Sequence, residues 1–581
     1  MKTKIIGLVP VLCLLLLFAC EKKAEKPATG EASGMIKEKK MVVIKDYEKI
    51  DVVKQQLQKL APVEIKADLT GLTKDEQQVL RLLVRAAMLM DRLFLRQVYQ
   101  QNWALSKVLE QGQNPDYKTL LDYFRINFGP FDRLNNDQPF INLAVKKPAG
   151  ANFYPADMSK EEFEQWIKAH PADEAAFTSL FTVISRKQGK LVATPYSQVF
   201  QKPLQACSRL LLKAAEKSDN PSLKKYLNSR AGALLTDDFF QSDIDWVDVK
   251  DHRIEVVIGP YEVYEDKLFG YKASYEAFIT IVDQKESEKL AVLANYLDEM
   301  ERHLPIEDKY KNFARGKSSP ILVVNEVFTG GDTKAGIQTT AYNLPNDERV
   351  REAKGSKKVM LKNVAQAKFE NCWIPIVKEV LGEKELSLVS FDAYFNHVMM
   401  HEISHALGPG TIIKNGKKTT VDKELKDLNP CLEEAKADIV GIWNLKFMID
   451  KGVFPKELAK NMYPTYLGGM FRSIRFGLDS AHGGGTAMQA NYILEKGGFT
   501  VDEKTGRFSV DERKIQEAIK QLCHDILTIQ ALGDYQAAKA LIDRYRVLSP
   551  KLQRAVDAVK HVPIDIFPIY SIGQQAGKKK K

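Results

Sequence analysis

Residues 401–410 read HEISHALGPG, and the spacing of the two histidines is the first thing to explain. Residues four apart on an α-helix project from nearly the same side. His401 and His405 can therefore aim imidazole nitrogens at one ion. Glu402 then leans beside that ion, where a general base for a metal-activated water has to stand. The flanking HVMMHEISHAL (397–407) is apolar around these positions, and Gly-Pro-Gly at 408–410 stops the helix. Alone, the motif also suits a plain amphipathic helix with two surface histidines. The stretch CLEEAKADIVGIWNLKFMI (431–449) decides between the two. It reads as a second helix with Glu434 and Asp438 four apart. His401, His405 and Glu434 make a three-ligand zinc set that leaves a position open for water. Asp438, one turn after Glu434, is placed to hold a histidine N–H. His397 lies on the same face as His401, but a fourth ligand would close the site, so it reads as packing or support.

The rest of the 581 residues sets the context. With 44% hydrophobic and 28% charged residues the composition is that of a globular protein, long enough for two or more domains or lobes. Much of the net charge of +10 sits in the polar stretch 21–40 and in the terminal GKKKK. No aromatic-interleaved basic motif accompanies it, so nucleic acid is not an expected partner. An anionic membrane surface suits basic ends better. MKTK followed by the apolar run IIGLVPVLCLLLLF is a signal peptide in form. It ends in LFAC, which resembles a lipoprotein signal and would make Cys20 the lipidated first residue of a protein anchored in a bacterial cell envelope; Phe18 is not the usual small residue there, and plain secretion is the alternative. The remaining cysteines, Cys207, Cys372, Cys431 and Cys523, stand singly and do not indicate a disulfide framework.

Periodicity divides the chain further. After a signal peptide (1–19) and a polar linker (20–45), apolar residues recur at three- and four-residue intervals, as in DEQQVLRLLVRAAMLMDRLFLRQVY. Near 246 the character changes to β-branched and aromatic segments such as RIEVVIGPYEVY and ASYEAFITIVD. We expect residues 46–276 to form a helical part plus strands of a lower lobe. Residues 277–309 read as a helical insertion to an upper lobe, and 310–364 as further lower-lobe strands. Residues 365–555 read as the helical zinc-binding lobe, and 556–581 as a terminal segment with a basic tail. The fold class is α+β and mainly helical, two lobes separated by a cleft, the mixed lobe holding a small β-barrel-like sheet.

HEISH, EEAKAD and AHGGGTAMQANYIL, in that order, resemble the dipeptidyl-peptidase III family of zinc peptidases. The likeness extends to IGPYEVYEDKLFGYKASYEAF and AGIQTTAYNLPND, and covers roughly 245–560. It implies one zinc ion per chain on His401, His405 and Glu434, with Glu402 activating the water. It also implies that His482 steadies the tetrahedral intermediate and that Tyr264 polarises the scissile carbonyl. Asn343 and Glu262 would hold the N-terminal end of a short peptide, from which a dipeptide is released by a monomeric enzyme. Two features depart from the family pattern. The family's helix has one more residue between its histidines, and the spacing here resembles a subgroup found in some bacteria and in plant proteins fused to Nudix domains. The family's basic pair that anchors the far end of the substrate has no counterpart around DAVKHVPIDIFPIYS. A zinc hydrolase of non-peptide amides or esters, or a non-catalytic peptide-binding lipoprotein, are the competing readings; an intact Glu402 counts against the second.

Overall fold

The computed structural model describes residues 42–313 and 321–572. The signal peptide, Cys20 and nearly all of the polar linker lie outside the described residues, as does the basic tail. No described helix is long and apolar enough to cross a membrane.

From Val43 onward the chain is mainly helical, with a smaller β component. It builds two hydrophobic cores. The first forms around the helix Lys74–Val98, which starts at a reciprocal capping box between Thr73 and Glu76. Its buried face runs Val79, Leu83, Ala86, Met90 and Leu93, the three- and four-residue repeat visible in the sequence. This helix packs on the helix Gln201–Lys217 and on the strands Ser274–Val282 and Ile321–Gly331. Where it crosses the end of the latter, a Cβ on Gly330 would stand 2.5 Å from the Ala87 carbonyl oxygen, so only glycine fits.

The sheet has five strands in the order Ile254–Glu262, Ser274–Val282, Ile321–Gly331, Lys357–Leu361, Ala341–Leu344. The first three are antiparallel, Lys357–Leu361 runs parallel to Ile321–Gly331, and Ala341–Leu344 returns antiparallel to it. The expected barrel-like sheet is curled but not closed: Phe278 and Tyr342 stack at 4.3 Å although two strands lie between theirs, yet no ladder joins Ile254–Glu262 to Ala341–Leu344. A barrel needs every edge paired and the strands curled round an interior. Here that last pairing is missing, the last strand being only four residues long, while the helix Lys74–Val98 packs on the second and third strands. Ile254–Glu262 and Ala341–Leu344 remain open edges of the sheet.

The second core is helical and contains the metal motif. Leu290, Leu293 and Met300, from the helices Gln284–Ala294 and Leu297–His303, belong to it although their segment interrupts the sheet. Near the C-terminus, Asp565–Ile569 pairs in parallel with Leu60–Glu64. That pairing returns the chain to the first core, which takes in Ile566 and Tyr570.

Candidate metal centre

The HEISH segment ends a core helix, Phe391–Ser404, capped by the Ser390 hydroxyl, which accepts from the Ala393 N–H. His405 is the residue that closes it. It keeps right-handed helical dihedrals, and its N–H still donates to the His401 carbonyl at 3.3 Å, so the four-residue spacing survives to the helix end. The chain then turns away through Leu407 to Gly408, at φ +78°.

EEAKAD lies on the helix Asn429–Asp450, opened by Pro430 in its first turn. The two helices cross closely at Gly441, where an added Cβ would sit 3.0 Å from the His401 nitrogen and 3.2 Å from its Cα. The other flank of the acidic helix is equally tight. A Cβ on Gly485, from the helix Ala481–Glu495, would lie 2.9 Å from the Cys431 carbonyl. The glycine run in AHGGGTAMQA is thus a packing surface that lets His482 approach Glu434.

The donor atoms converge as the spacing implied. The Nε2 atoms of His401 and His405 are 3.2 Å apart, and Glu434 Oε2 is 3.4 Å from His401 Nε2. One ligand atom from each of the three residues falls within 4.8 Å of the others. The Nδ1 atoms are held from behind, His401 by Asp438 Oδ1 at 2.7 Å and His405 by Glu433 Oε1 at 2.8 Å. A carboxylate on Nδ1 fixes the proton there and turns the Nε2 lone pair inward. Two such lone pairs and a carboxylate oxygen facing one point are what zinc takes up.

Charge supports the same assignment. Burial works against ionisation of Glu402, Glu433, Glu434 and Asp438. In each it is outweighed, by Lys358 for Glu402, by Lys436 for Glu433, and by His401 for Glu434 and Asp438, so all four lie below the usual carboxylate range. Lys358 and Lys436 are the fixed cations against them, at 2.6 Å from Glu402 and 2.8 Å from Glu433. The four carboxylates outnumber these two lysines, and against burial Asp438 and Glu434 push His401 up to about 10, so a divalent ion and a proton compete for this site.

The outer residues divide into those the structure gathers here and those it does not. His482 Nδ1 lies 3.0 Å from Glu434 Oε2, a contact that raises the imidazole's pKa against the effect of burial. His397 takes no part in the donor set: its Nε2 meets the Asp438 carbonyl at 3.0 Å and its ring packs on Tyr466. Asn343 lines a cavity of about 580 Å³ with Lys358, Glu402 and His405. Glu262 lies apart from the cluster, 3.3 Å from Asn346 Nδ2, and burial raises its pKa. Tyr264, 78% exposed, lines neither of the two cavities that reach Glu402.

Three contributors are absent from the sequence-based set. Glu433 was hidden in the Glu-Glu doublet, whose first member serves the second histidine. Gln489 donates to Asp438 Oδ2 at 3.1 Å and accepts from the Tyr466 hydroxyl; its only signal is its place in AMQA. Lys358, beside Lys357 at the start of a short strand, carries none.

Comparison with known proteins agrees with this chemistry. Residues 156–440 match peptidase family M49. The chain is 39% identical to Nudix hydrolase 3 of Arabidopsis thaliana over 576 residues, 90% of this chain and 74% of that protein. The solved structure of DPP III from Caldithrix abyssi superposes with a TM-score of 0.87 at 54% identity, covering 90% of this chain and 100% of that one. Dipeptidyl-peptidase III from Corallococcus sp. strain EGB gives 0.74 at 41%, covering 91% and 99%. The chain belongs to peptidase family M49, the dipeptidyl-peptidase III family of metallopeptidases.

Proposed function

We propose that the protein is a zinc peptidase that releases dipeptides from the unblocked N-termini of short peptides. The observation that carries this reading is the position of the metal donor set opposite an open sheet edge. Thr340 and Ala341 line one cavity at His401 and Glu402, of about 400 Å³, and Asn343 lines the other, so Ala341–Leu344 runs past the general base. An extended peptide adds to such an edge through main-chain hydrogen bonds. Laid antiparallel, its N-terminus reaches the end of the edge where Asn346 meets Glu262, while its leaving portion runs toward Thr340. Burial, with Glu262 beside them, raises the carboxyls of Glu276 and Asp332, so an ammonium group arriving there would favour their ionised forms.

When bound by His401, His405 and Glu434, zinc supplies Lewis acidity to water and to the substrate carbonyl. Glu402 takes the water's proton and passes it to the leaving amine. Lys358 keeps that carboxylate ionised and oriented. His482 donates toward the oxygen on which charge develops, a role that suits an imidazole whose pKa Glu434 raises. Tyr264, 78% exposed and outside both cavities, is not brought to that oxygen in this structure.

Mass spectrometry of digests of free and N-acetylated peptides, with and without chelator, tests this. Dipeptides are expected from the free forms alone, and only without chelator. E402Q should keep its zinc and lose about a hundredfold or more in kcat, whereas H401A should lose the metal. Equal cleavage of acetylated peptides would remove the dipeptidyl reading and leave the metal site standing. From the sequence alone we also propose the envelope anchor. C20S should then move the protein from the membrane to the soluble fraction, and an unacylated wild-type N-terminus would refute the anchor.

A further inference from the structure

Of the three metal donors, His405 has the weakest support from its own helix. It closes Phe391–Ser404, and the carbonyls of a final turn have no partner within their helix. Helix ends fray unless something caps them, and the first left-handed residue after this one is Gly408. His401, by contrast, lies a full turn inside the helix, and Asp438 holds its ring.

The acidic helix supplies the missing cap. Lys436, 2% exposed, reaches across from Asn429–Asp450. Its Nζ donates to the carbonyls of Ser404 at 2.9 Å, His405 at 3.3 Å and Leu407 at 3.3 Å. A lysine on the last carbonyls also opposes the negative end of the helix dipole. The same ammonium meets Glu433 Oε1 at 2.8 Å, and that oxygen holds His405 Nδ1 at 2.8 Å. Gln530 donates to the other Glu433 oxygen at 3.0 Å, so the carboxylate is fixed at both ends. One buried cation thus grips His405 twice, at its backbone and, through Glu433, at its ring.

Lys436 acts on a metal ion in two ways of opposite sign. As a charge it repels a second cation nearby, so its removal would tighten the metal. As a support it keeps the Nε2 atom of His405 where His401 and Glu434 converge, so its removal would loosen the metal. Glu433 stands between the ammonium and the ring and cancels most of the repulsion. The support therefore outweighs the charge.

We propose that Lys436 is a positioning residue for the metal: it fixes the end of the metal helix and thereby sets the affinity of the His401, His405 and Glu434 site. It lines neither cavity at Glu402 and acts only through His405. This rests on the zinc ligand set assigned above.

Chelator competition on the full chain reads zinc affinity in wild type, K436M and K436R. K436M should bind zinc about ten- to a hundredfold more weakly, the size of effect seen when a ligand's outer partner is removed. K436R keeps the charge and the donors and should recover part of that loss. Cobalt(II) in place of zinc reports ligand geometry through its visible absorption, and its band should change in K436M. A residue that only stabilises the fold would lower the unfolding midpoint and leave both metal readouts unmoved, and a simple charge would tighten zinc on removal. Either result overturns the proposal. In H405A, where His405 no longer binds the metal, adding K436M should change zinc affinity no further; a loss as large as in the wild-type background overturns it as well. Should K436M fail to fold, K436Q, shorter but still a donor, is expected to loosen zinc in the same direction. Full zinc in H401A would defeat the ligand set itself, whereas an unmoved affinity in K436M defeats only the role of Lys436.

Discussion

Lys358 and Glu402 meet at 2.6 Å across the gap between the sheet and the metal helix, and the pair makes Glu402 a weaker but more reliably ionised base. Burial pushes the Glu402 carboxyl upward, and Lys358 outweighs it, so the carboxyl stays below its usual pKa. Only the ionised form can take a proton. Removing the cation therefore raises the pKa of the base, and the acid limb of kcat/KM should move to higher pH in K358M while zinc content stays constant. An acid limb that stays in place would show that the pair does not control the base. The sequence could not reveal this contact, because the two residues are joined only by the fold. His401, Glu402, His405, Glu434 and Asp438 were legible for the opposite reason: each set lies within one or two turns of a single helix, where spacing alone fixes direction. Tyr264 and Glu262 were legible only by resemblance, and the structure holds them on the sheet side, away from the donor set.

Element packing turns that local spacing into a metal site. Two helices that each carry ligands must approach until three donor atoms fall within reach of one ion, and Gly441 is what permits it. An alanine there would press its Cβ against the backbone of Met400 and His401, which cannot rotate away as a side chain could. Helix propensity favours alanine over glycine by about 1 kcal/mol, while overpacking costs about 1–3 kcal/mol. G441A should therefore change stability by no more than about 2 kcal/mol, yet spread the helices and lower zinc affinity by about tenfold, the size of effect seen when a ligand's support is disturbed. Chelator competition measures the affinity, and an unchanged value would show that the spread leaves His401 in place. Helices and strands themselves were readable from period and composition, since a buried face leaves its repeat in the sequence. Sheet order was not. Nothing local in AYNL distinguishes an open edge from a barrel strand, and the answer depends on whether it pairs with Ile254–Glu262, far earlier in the chain.

At the scale of the whole molecule, the C-terminal segment ties the two cores together, and its anchor is one buried ion pair. Val559 and Val562 pack in the helical core, and Ile566 and Tyr570 in the core around the sheet. Between them Asp565, fully buried, accepts from Lys368 Nζ at 2.9 Å and from the Gln338 N–H at 2.7 Å, while the Tyr570 hydroxyl reaches Glu326. Lys368 sits at the join of both cores, and burial already lowers its pKa against the pull of Asp565. Deleting the aspartate leaves that ammonium without its partner, the situation in which a broken buried pair costs about 3–5 kcal/mol. D565A should lose about that much in denaturant unfolding, well beyond the effect of an ordinary loop substitution. The double variant K368M/D565L, which removes both charges, should recover most of the loss, because the penalty belongs to the stranded charge. If both variants are equally unstable, the parallel pairing of Asp565–Ile569 with Leu60–Glu64 holds the segment through its backbone, and the ion pair is incidental to it.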